Sequence, residues 1–315
     1  MARVARRAWQ VGGLVAGAAA GLAAFSSWNA RRAERLVPPD GAFIDVEGAR
    51  LHYVDVGSGP AIVMIHGLGG QLRNFTYALS GRLQGRHRLV IVDRPGSGYS
   101  RYVGEGEQGL AAQGAIIARL IDALGLERPL VVGHSLGGAV ALALALDHPA
   151  KVGGLALLAP LTQAVEAIPQ AFKALAIQST AARRLVAWTL AAPLGRLSGE
   201  QARRTIFGPE PVPEGFEIAG GAALTLRPSA FEAAAADVAA SAREMAALAG
   251  RYAELSLPVG ILFARGDQIL PFALHGEQTA AAMSPAELTL IDGGHMFPVT
   301  QPDLTAEWIA QQMNA

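Results

Sequence analysis

The stretch Pro129-Leu130-Val131-Val132-Gly133-His134-Ser135-Leu136-Gly137-Gly138-Ala139-Val140 limits the fold of this chain more than any other. An apolar, β-branched run enters it and an Ala/Leu-rich run over 139–146 leaves it, so a strand must turn sharply into a helix at a Gly-x-Ser-x-Gly pentapeptide. So tight a turn lifts the Ser135 hydroxyl above the sheet and leaves no room for a Cβ at Gly133 or Gly137. The helix begins beneath the serine, and its unpaired first-turn N–H groups face any negative charge that develops there. With 37 glycines in 315 residues the pentapeptide alone is weak. The strand before it and the helix after it make Ser135 a candidate nucleophile.

Around this turn the chain alternates. Residues 43–46 and 50–56 show period-two patterning about Glu47-Gly48-Ala49 and read as a hairpin, on which His52 is structural. Continuous apolar runs at 61–65, 89–92, 129–133 and 152–158 read as strands buried on both faces, with helices over 72–83 and 111–124 between them and a helix from the turn to His148. The pattern predicts a doubly wound, mostly parallel sheet, in which ligands bind at the carboxyl ends of the strands. His66-Gly67-Leu68-Gly69-Gly70, Asp93 and Ser135 all fall at such ends. From 161 to about 255 strand signals vanish and alanine-rich helical runs broken by proline and glycine take over, predicting a helical cap inserted over the functional edge. Phe172, Leu175, Trp188, Leu190, Phe207, Phe216, Leu224, Leu226 and Phe231 are its apolar candidates, most of them for packing and a minority for a pocket. Strands at 258–264 and 287–291, a helix over 272–283 and a last helix over 303–313 complete the sheet. The expected organisation is an N-terminal segment (1–36), a first core part (37–160), the cap (161–255) and a second core part (256–315).

Residues 8–30 carry no charge and lie between Arg3, Arg6, Arg7 and Arg31, Arg32, Arg35, with Trp9 and Trp28 near the ends. At helical rise the run is about long enough to span a bilayer. A retained signal anchor, a cleaved signal peptide and a helix docked on the body or on a surface all fit it; the first two make the protein membrane-anchored or exported. The run is rich in Gly and Ala rather than Leu, which makes insertion marginal.

Serine needs a base, and the base an orienting carboxylate. Asp267 and His295 each follow a later strand, in the order Ser, Asp, His. His295 is the candidate base, Asp267 its partner, and the backbone N–H groups of Leu136 and Leu68 the candidate oxyanion donors. Asp292 is nearer to His295 in sequence but points poorly across to it; His134 is structural; His87, His148 and His275 lie on predicted surfaces or helix ends. Zero net charge gives no case for nucleic acid, and the chain has neither cysteine nor an H-E-x-x-H motif, so the sequence calls for no metal and no cofactor. The G-x-G-x-x-G match at 104–109 follows no strand and carries two glutamates, which a pyrophosphate would not tolerate.

From about residue 43 to 313 the chain resembles the α/β-hydrolase superfamily, most of all its cap-bearing bacterial esterases, lipases, C–C bond hydrolases and epoxide hydrolases. The resemblance rests on His66-Gly67-Leu68-Gly69-Gly70, Asp93-Arg94-Pro95-Gly96-Ser97-Gly98, Gly133-His134-Ser135-Leu136-Gly137-Gly138, Gly266-Asp267 and Gly293-Gly294-His295. It implies a Ser135-Asp267-His295 triad and a serine hydrolase of small esters with a hydrophobic part. Ser135, where epoxide hydrolases and haloalkane dehalogenases carry aspartate, argues against those two. A C–C hydrolase of vinylogous diketones would use the same triad and a cap arginine to grip a carboxylate, with Arg183, Arg184, Arg203, Arg204 and Arg227 as the choices. A non-catalytic binding protein on the same fold is the reading from another class.

Overall fold

The computed structural model describes residues 2–104, 108–165, 167–283 and 286–313, the side chains of residues 2–12 and of Val15 excepted. Strands β1 (Ala42–Val46) and β2 (Ala49–Val56) form the expected hairpin, pairing Phe43 with His52 and Asp45 with Arg50. The continuous apolar runs become β3 (Ala61–Ile65), β4 (Arg88–Val92), β6 (Leu130–His134), β7 (Gly154–Leu158) and β8 (Val259–Ala264), buried over almost every residue. The last strand, β9 (Ala286–Ile291), is an edge strand and alternates in burial, as an edge with one wet face must. A two-residue strand, β5 (Arg101–Tyr102), pairs with β2 just before the G-x-G-x-x-G match, where no strand is expected; two residues are too few for a periodicity signal.

The sheet runs β1-β2-β4-β3-β6-β7-β8-β9, with β5 beside β2. It is antiparallel through β1, β2 and β4 and parallel from β4 to β9. The chain steps outward from β3 to β4 and then returns to the other side of β3 at β6. The carboxyl ends of β3 and β6 therefore flank the point where the strand order reverses, where such sheets open a crevice.

The helix that leaves Ser135, over Leu136–Asp147, is buried from Leu136 to Leu146. A helix apolar on every side must be enclosed, and this one lies between the sheet and the helix Leu110–Ala123. The two cross closely at Gly114, where a Cβ would stand 2.9 Å from the Leu144 nitrogen. The single helix expected over 72–83 is instead two short ones, Arg73–Thr76 and Ser80–Leu83. Phe75, Leu79 and Leu83 still face the core at helical spacing, so the apolar period is satisfied by the broken helix as well as by a continuous one. The helix expected over 272–283 opens with a wide π turn, Ala273–Glu277, before Gln278–Ala282. A short helix at Phe297–Thr300 precedes the last one, Pro302–Gln312.

Between β7 and β8 the described residues hold no strand. A 3-10 turn (Gln170–Leu175), helix Thr180–Val186, a π turn (Ala187–Ala191), helix Ala192–Phe207, a 3-10 turn (Ala222–Leu226) and helix Pro228–Ala249 follow one another. Residues 105–107 of the G-x-G-x-x-G match lie outside the described residues.

The N-terminal helix, Ala2–Leu36, ends docked on this helical layer. Ser26, Asn29, Ala33 and Val37, spaced by three and four, are buried, and the Asn29 amide donates to the Leu226 carbonyl at 3.2 Å. Ala33 and Val37 pack on Ala223 and Leu224, and Arg227 pairs with Glu34 at 3.4 Å. Among the described residues no helix is long and apolar enough to cross a membrane. The run is Gly/Ala-rich, and its last turns bury a serine and an asparagine against protein.

Candidate active site

Ser135 sits at φ +55°, ψ −121°, a conformation an L-residue adopts only when its surroundings enforce it. The enforcement is visible. The Ser135 N–H donates to the Leu158 carbonyl at 3.0 Å, and its own carbonyl accepts from Gly138 and Leu161 at 2.9 Å each. Glycine is required on both sides by close approach: a Cβ on Gly137 would lie 2.1 Å from the Ile65 carbonyl oxygen, and one on Gly133 would lie 2.6 Å from that of Gly137.

Asp267, after β8, and His295, after β9, meet at 2.7 Å between Oδ2 and Nδ1. Both side chains are buried. The other carboxylate oxygen accepts the N–H groups of Ile269 (2.7 Å) and Leu270 (2.9 Å). Burial works against the Asp267 charge, but the His295 ring and these two donors outweigh it and hold the carboxyl below the usual carboxylate range. With Nδ1 given to the carboxylate, the lone pair of His295 is left on Nε2. His134, beside the serine, donates from Nε2 to the His295 carbonyl at 3.0 Å, with ring centroids 4.9 Å apart. It pins the histidine loop to the serine turn. Burial, and then His295, push its pKa down to about 3, so it stays neutral. Asp292 is exposed, and its carbonyl accepts from Gln301 at 2.7 Å; among the described residues the carboxylate that meets His295 is that of Asp267.

The loop after β3 passes Ser135 so closely that a Cβ on Gly67 would lie 2.9 Å from the serine Cβ. Arg94 sets its orientation. The wholly buried guanidinium donates to the carbonyls of His66 (2.9 Å) and Gly67 (3.0 Å), to Gln113 Oε1 (2.7 Å) and to Asp237 Oδ2 (2.9 Å). Gln113 completes the set with a 2.8 Å bond to the other Asp237 oxygen. In a trans peptide the N–H points away from the C=O, so fixing the Gly67 carbonyl on Arg94 turns the Leu68 N–H to the opposite side. That N–H meets no acceptor among the described residues. Arg94 stood in a quoted motif, but its partners lie 19 and 143 residues away, and no local signal marks them.

Asp93 is also buried and binds His52 Nδ1 at 2.7 Å and the N–H groups of Leu72 and Tyr99, so His52 has a structural place. His275, expected on a surface or a helix end, lies in the turn that opens its helix but not at the surface. It is wholly buried, and its Nδ1 accepts from the Thr162 and Gln163 N–H groups at 3.2 and 3.3 Å. Burial lowers its pKa to about 4. The helix end that carries it is tucked under the loop after β7, a long-range packing its neighbours in sequence do not announce.

A cavity of about 290 Å³ opens on Ser135 between Leu68 and Leu136. Leu161, Phe172, Val238, Met245, Ile269 and Leu270 contribute most of its apolar wall. None of its described lining residues is charged. Two polar ones turn inward to the protein, Gln163 to Thr279 and Ser241 to the Asp237 carbonyl. Of the apolar cap candidates only Phe172 lines it. Phe207 and Phe216 pack with Met296 and Val299, Leu224 packs under the N-terminal helix, Leu226 lines a groove beside that helix, and Trp188 and Leu190 are exposed. Leu175 and Phe231 are half-buried away from it. The candidate arginines are elsewhere too: Arg183 and Arg227 line a separate cavity of about 380 Å³, Arg203 lines the groove beside the N-terminal helix, Arg204 pairs with Glu200, and Arg184 is exposed.

The sequence model of the alpha/beta hydrolase fold matches residues 60–302. The chain is 30% identical over 250 residues to the magnesium-chelatase 30 kDa subunit of Rhodobacter capsulatus, covering 78% of this chain and 84% of that one. It is 34% identical over 119 residues to a 2-hydroxy-6-oxo-6-phenylhexa-2,4-dienoate hydrolase of Comamonas testosteroni, 37% of this chain and 42% of that protein. A 41% match over 120 residues, 38% of this chain, covers only 32% of the dihydrolipoyllysine-residue acetyltransferase component of the acetoin cleaving system of Cupriavidus necator. Among solved structures, a thermophilic esterase from Thermogutta terrifontis superposes with a TM-score of 0.69 at 23% identity, over 87% of this chain and 98% of its own. A membrane phospholipase A described as a bacterial virulence factor gives 0.69 at 21% identity, over 100% of this chain and 98% of its own.

Proposed function

The chain belongs to the α/β hydrolase fold family, and on that premise we propose that it is a serine hydrolase of carboxylic esters with a hydrophobic acyl or alcohol part. The observation that carries the reading is the apolar cavity opening on Ser135, whose described lining is uncharged, together with the Asp267–His295 pair that His134 ties to the serine turn. In this reading the Ser135 oxygen attacks the ester carbonyl carbon while His295 Nε2 takes the serine proton. Asp267 keeps the proton on Nδ1 and stabilises the imidazolium. The N–H groups of Leu68 and Leu136 receive the oxyanion. The tetrahedral intermediate expels the alcohol, which leaves with the proton from His295, and an acyl-Ser135 ester remains. Water, deprotonated by the same nitrogen, then releases the acid and restores the serine.

The Comamonas relative's name favours a second reading, C–C bond hydrolysis of a dienoate. Such a substrate brings a carboxylate, and the described lining of the cavity offers it no cation, so the ester reading is the better fit. Hydrolysis of p-nitrophenyl esters of increasing chain length tests the proposal. Ser135→Ala should cost about 10⁴-fold or more in turnover. Undiminished hydrolysis in that variant, or turnover of a ring-cleavage dienoate with none of any ester, refutes it.

A further inference from the structure

Thirteen large apolar side chains stand exposed among the described residues, and five of them fall within thirteen consecutive positions. Leu185, Trp188, Leu190, Leu194 and Leu197 belong to the one helical run Thr180–Val186, Ala187–Ala191, Ala192–Phe207. Leu190, Leu194 and Leu197 recur at i, i+4 and i+7 and share a face, and Leu185 and Trp188 lie one turn apart. Ala187 and Ala192, by contrast, are wholly buried on the body. Leu197 is 83% exposed, more than a packing role could explain.

The N-terminal helix extends this face. It packs on the same run, where the Arg196 guanidinium lies 5.8 Å from the Phe25 ring and 5.6 Å from the ring of exposed Trp28. Before Ser26 the described side chains of that helix are mostly exposed, Leu14 among them, and residues 8–30 carry no charge. The charge around the face is mostly positive, although Glu232 accepts from Trp188 Nε1 at 3.1 Å. Residues 180–207 hold Arg183, Arg184, Arg196, Arg203 and Arg204 against a single acidic residue, Glu200. Monomeric soluble proteins rarely leave a contiguous apolar face of this kind uncovered. Leucine and tryptophan on one side of a helix with arginines around them is the composition of helices that lie in a headgroup layer.

We propose that the outer face of residues 185–197, continued by the N-terminal helix at Trp28, is a docking surface for a lipid bilayer bearing anionic headgroups. The leucines and Trp188 enter the acyl boundary, and the arginines meet the phosphates. The surface lies next to the 3-10 turn Gln170–Leu175, whose Phe172 lines the catalytic cavity.

Flotation of the full-length protein with phosphatidylglycerol/phosphatidylcholine vesicles tests this. The comparison is with pure phosphatidylcholine vesicles and with the variant Leu194→Asp/Leu197→Asp. Binding should require the anionic lipid, weaken as salt is raised, and fall about tenfold or more in the variant. Neither leucine lines the catalytic cavity, so hydrolysis of a soluble short-chain ester should be unchanged and reports that the variant is folded. The proposal is overturned by vesicle binding equal to wild type in the variant, by equal binding to neutral vesicles, or by no binding at all. It is also overturned by a soluble dimer that the two substitutions dissociate and that never floats, which would assign the face to a second copy of the chain.

Discussion

Lowering the pH from 7 to 5 should destabilise the protein by at least about 4 kcal/mol, through buried histidines. His134 and His275 are buried, with pKa values pushed down to about 3 and about 4. In the unfolded chain a histidine titrates near 6.5. Between pH 6.5 and 4 the unfolded state therefore takes up protons that the folded state refuses, and stability falls as pH falls through that window. At pH 5 each unfolded imidazole gains about 2 kcal/mol from protonation relative to pH 7, so the pair loses about 4. His66, held well below its ordinary pKa by burial and by Arg94, adds in the same sense. Asp267 does not contribute in this window: its pKa is lowered, so its stabilisation is present above the unfolded carboxyl value near 3.9 and is lost only in stronger acid. Urea unfolding at pH 7 and pH 5 measures the difference. His275→Asn, whose side-chain oxygen can accept the Thr162 and Gln163 N–H groups in place of Nδ1, should remove about 2 kcal/mol of it. Stability that is flat or rises toward pH 5, or a variant with the wild-type pH dependence, refutes the reasoning.

Asp237→Ala strands the wholly buried Arg94 charge and should cost about 3–5 kcal/mol in thermal unfolding, with turnover falling as the His66-Gly67 loop loosens; a loss under about 1 kcal/mol would contradict the network. In an ester series, Phe172→Ala should move the preferred acyl chain to longer lengths and Val238→Phe to shorter ones, because both side chains wall the cavity at Ser135; an unchanged chain-length profile in both would place the acyl group elsewhere.

What the sequence made legible is what lies close along the chain. Ser135 could be read because its strand, its glycines and its helix are all within twelve residues, and the tight contacts at Gly133 and Gly137 are the reason those residues are glycine. The Asp267–His295 pair could be read because each residue ends a strand and parallel strands bring their carboxyl ends together. Arg94 carries no such local mark. Its work depends on Gln113 and Asp237, and only the folded cap brings Asp237 to it. The burial of His275 carries no local mark for the same reason: it is decided by the loop at Thr162, not by its own helix. The apolar cap candidates show the limit most plainly. One composition supplied a cavity wall at Phe172, a packing cluster at Phe207 and Phe216, and an uncovered face at Trp188 and Leu190. Hydrophobicity says that a side chain will leave water; it does not say which partner it will meet. That choice rests on tertiary packing, which is why the sheet and the Asp267–His295 pairing are legible in the sequence while pocket shape and outer surface required the structure.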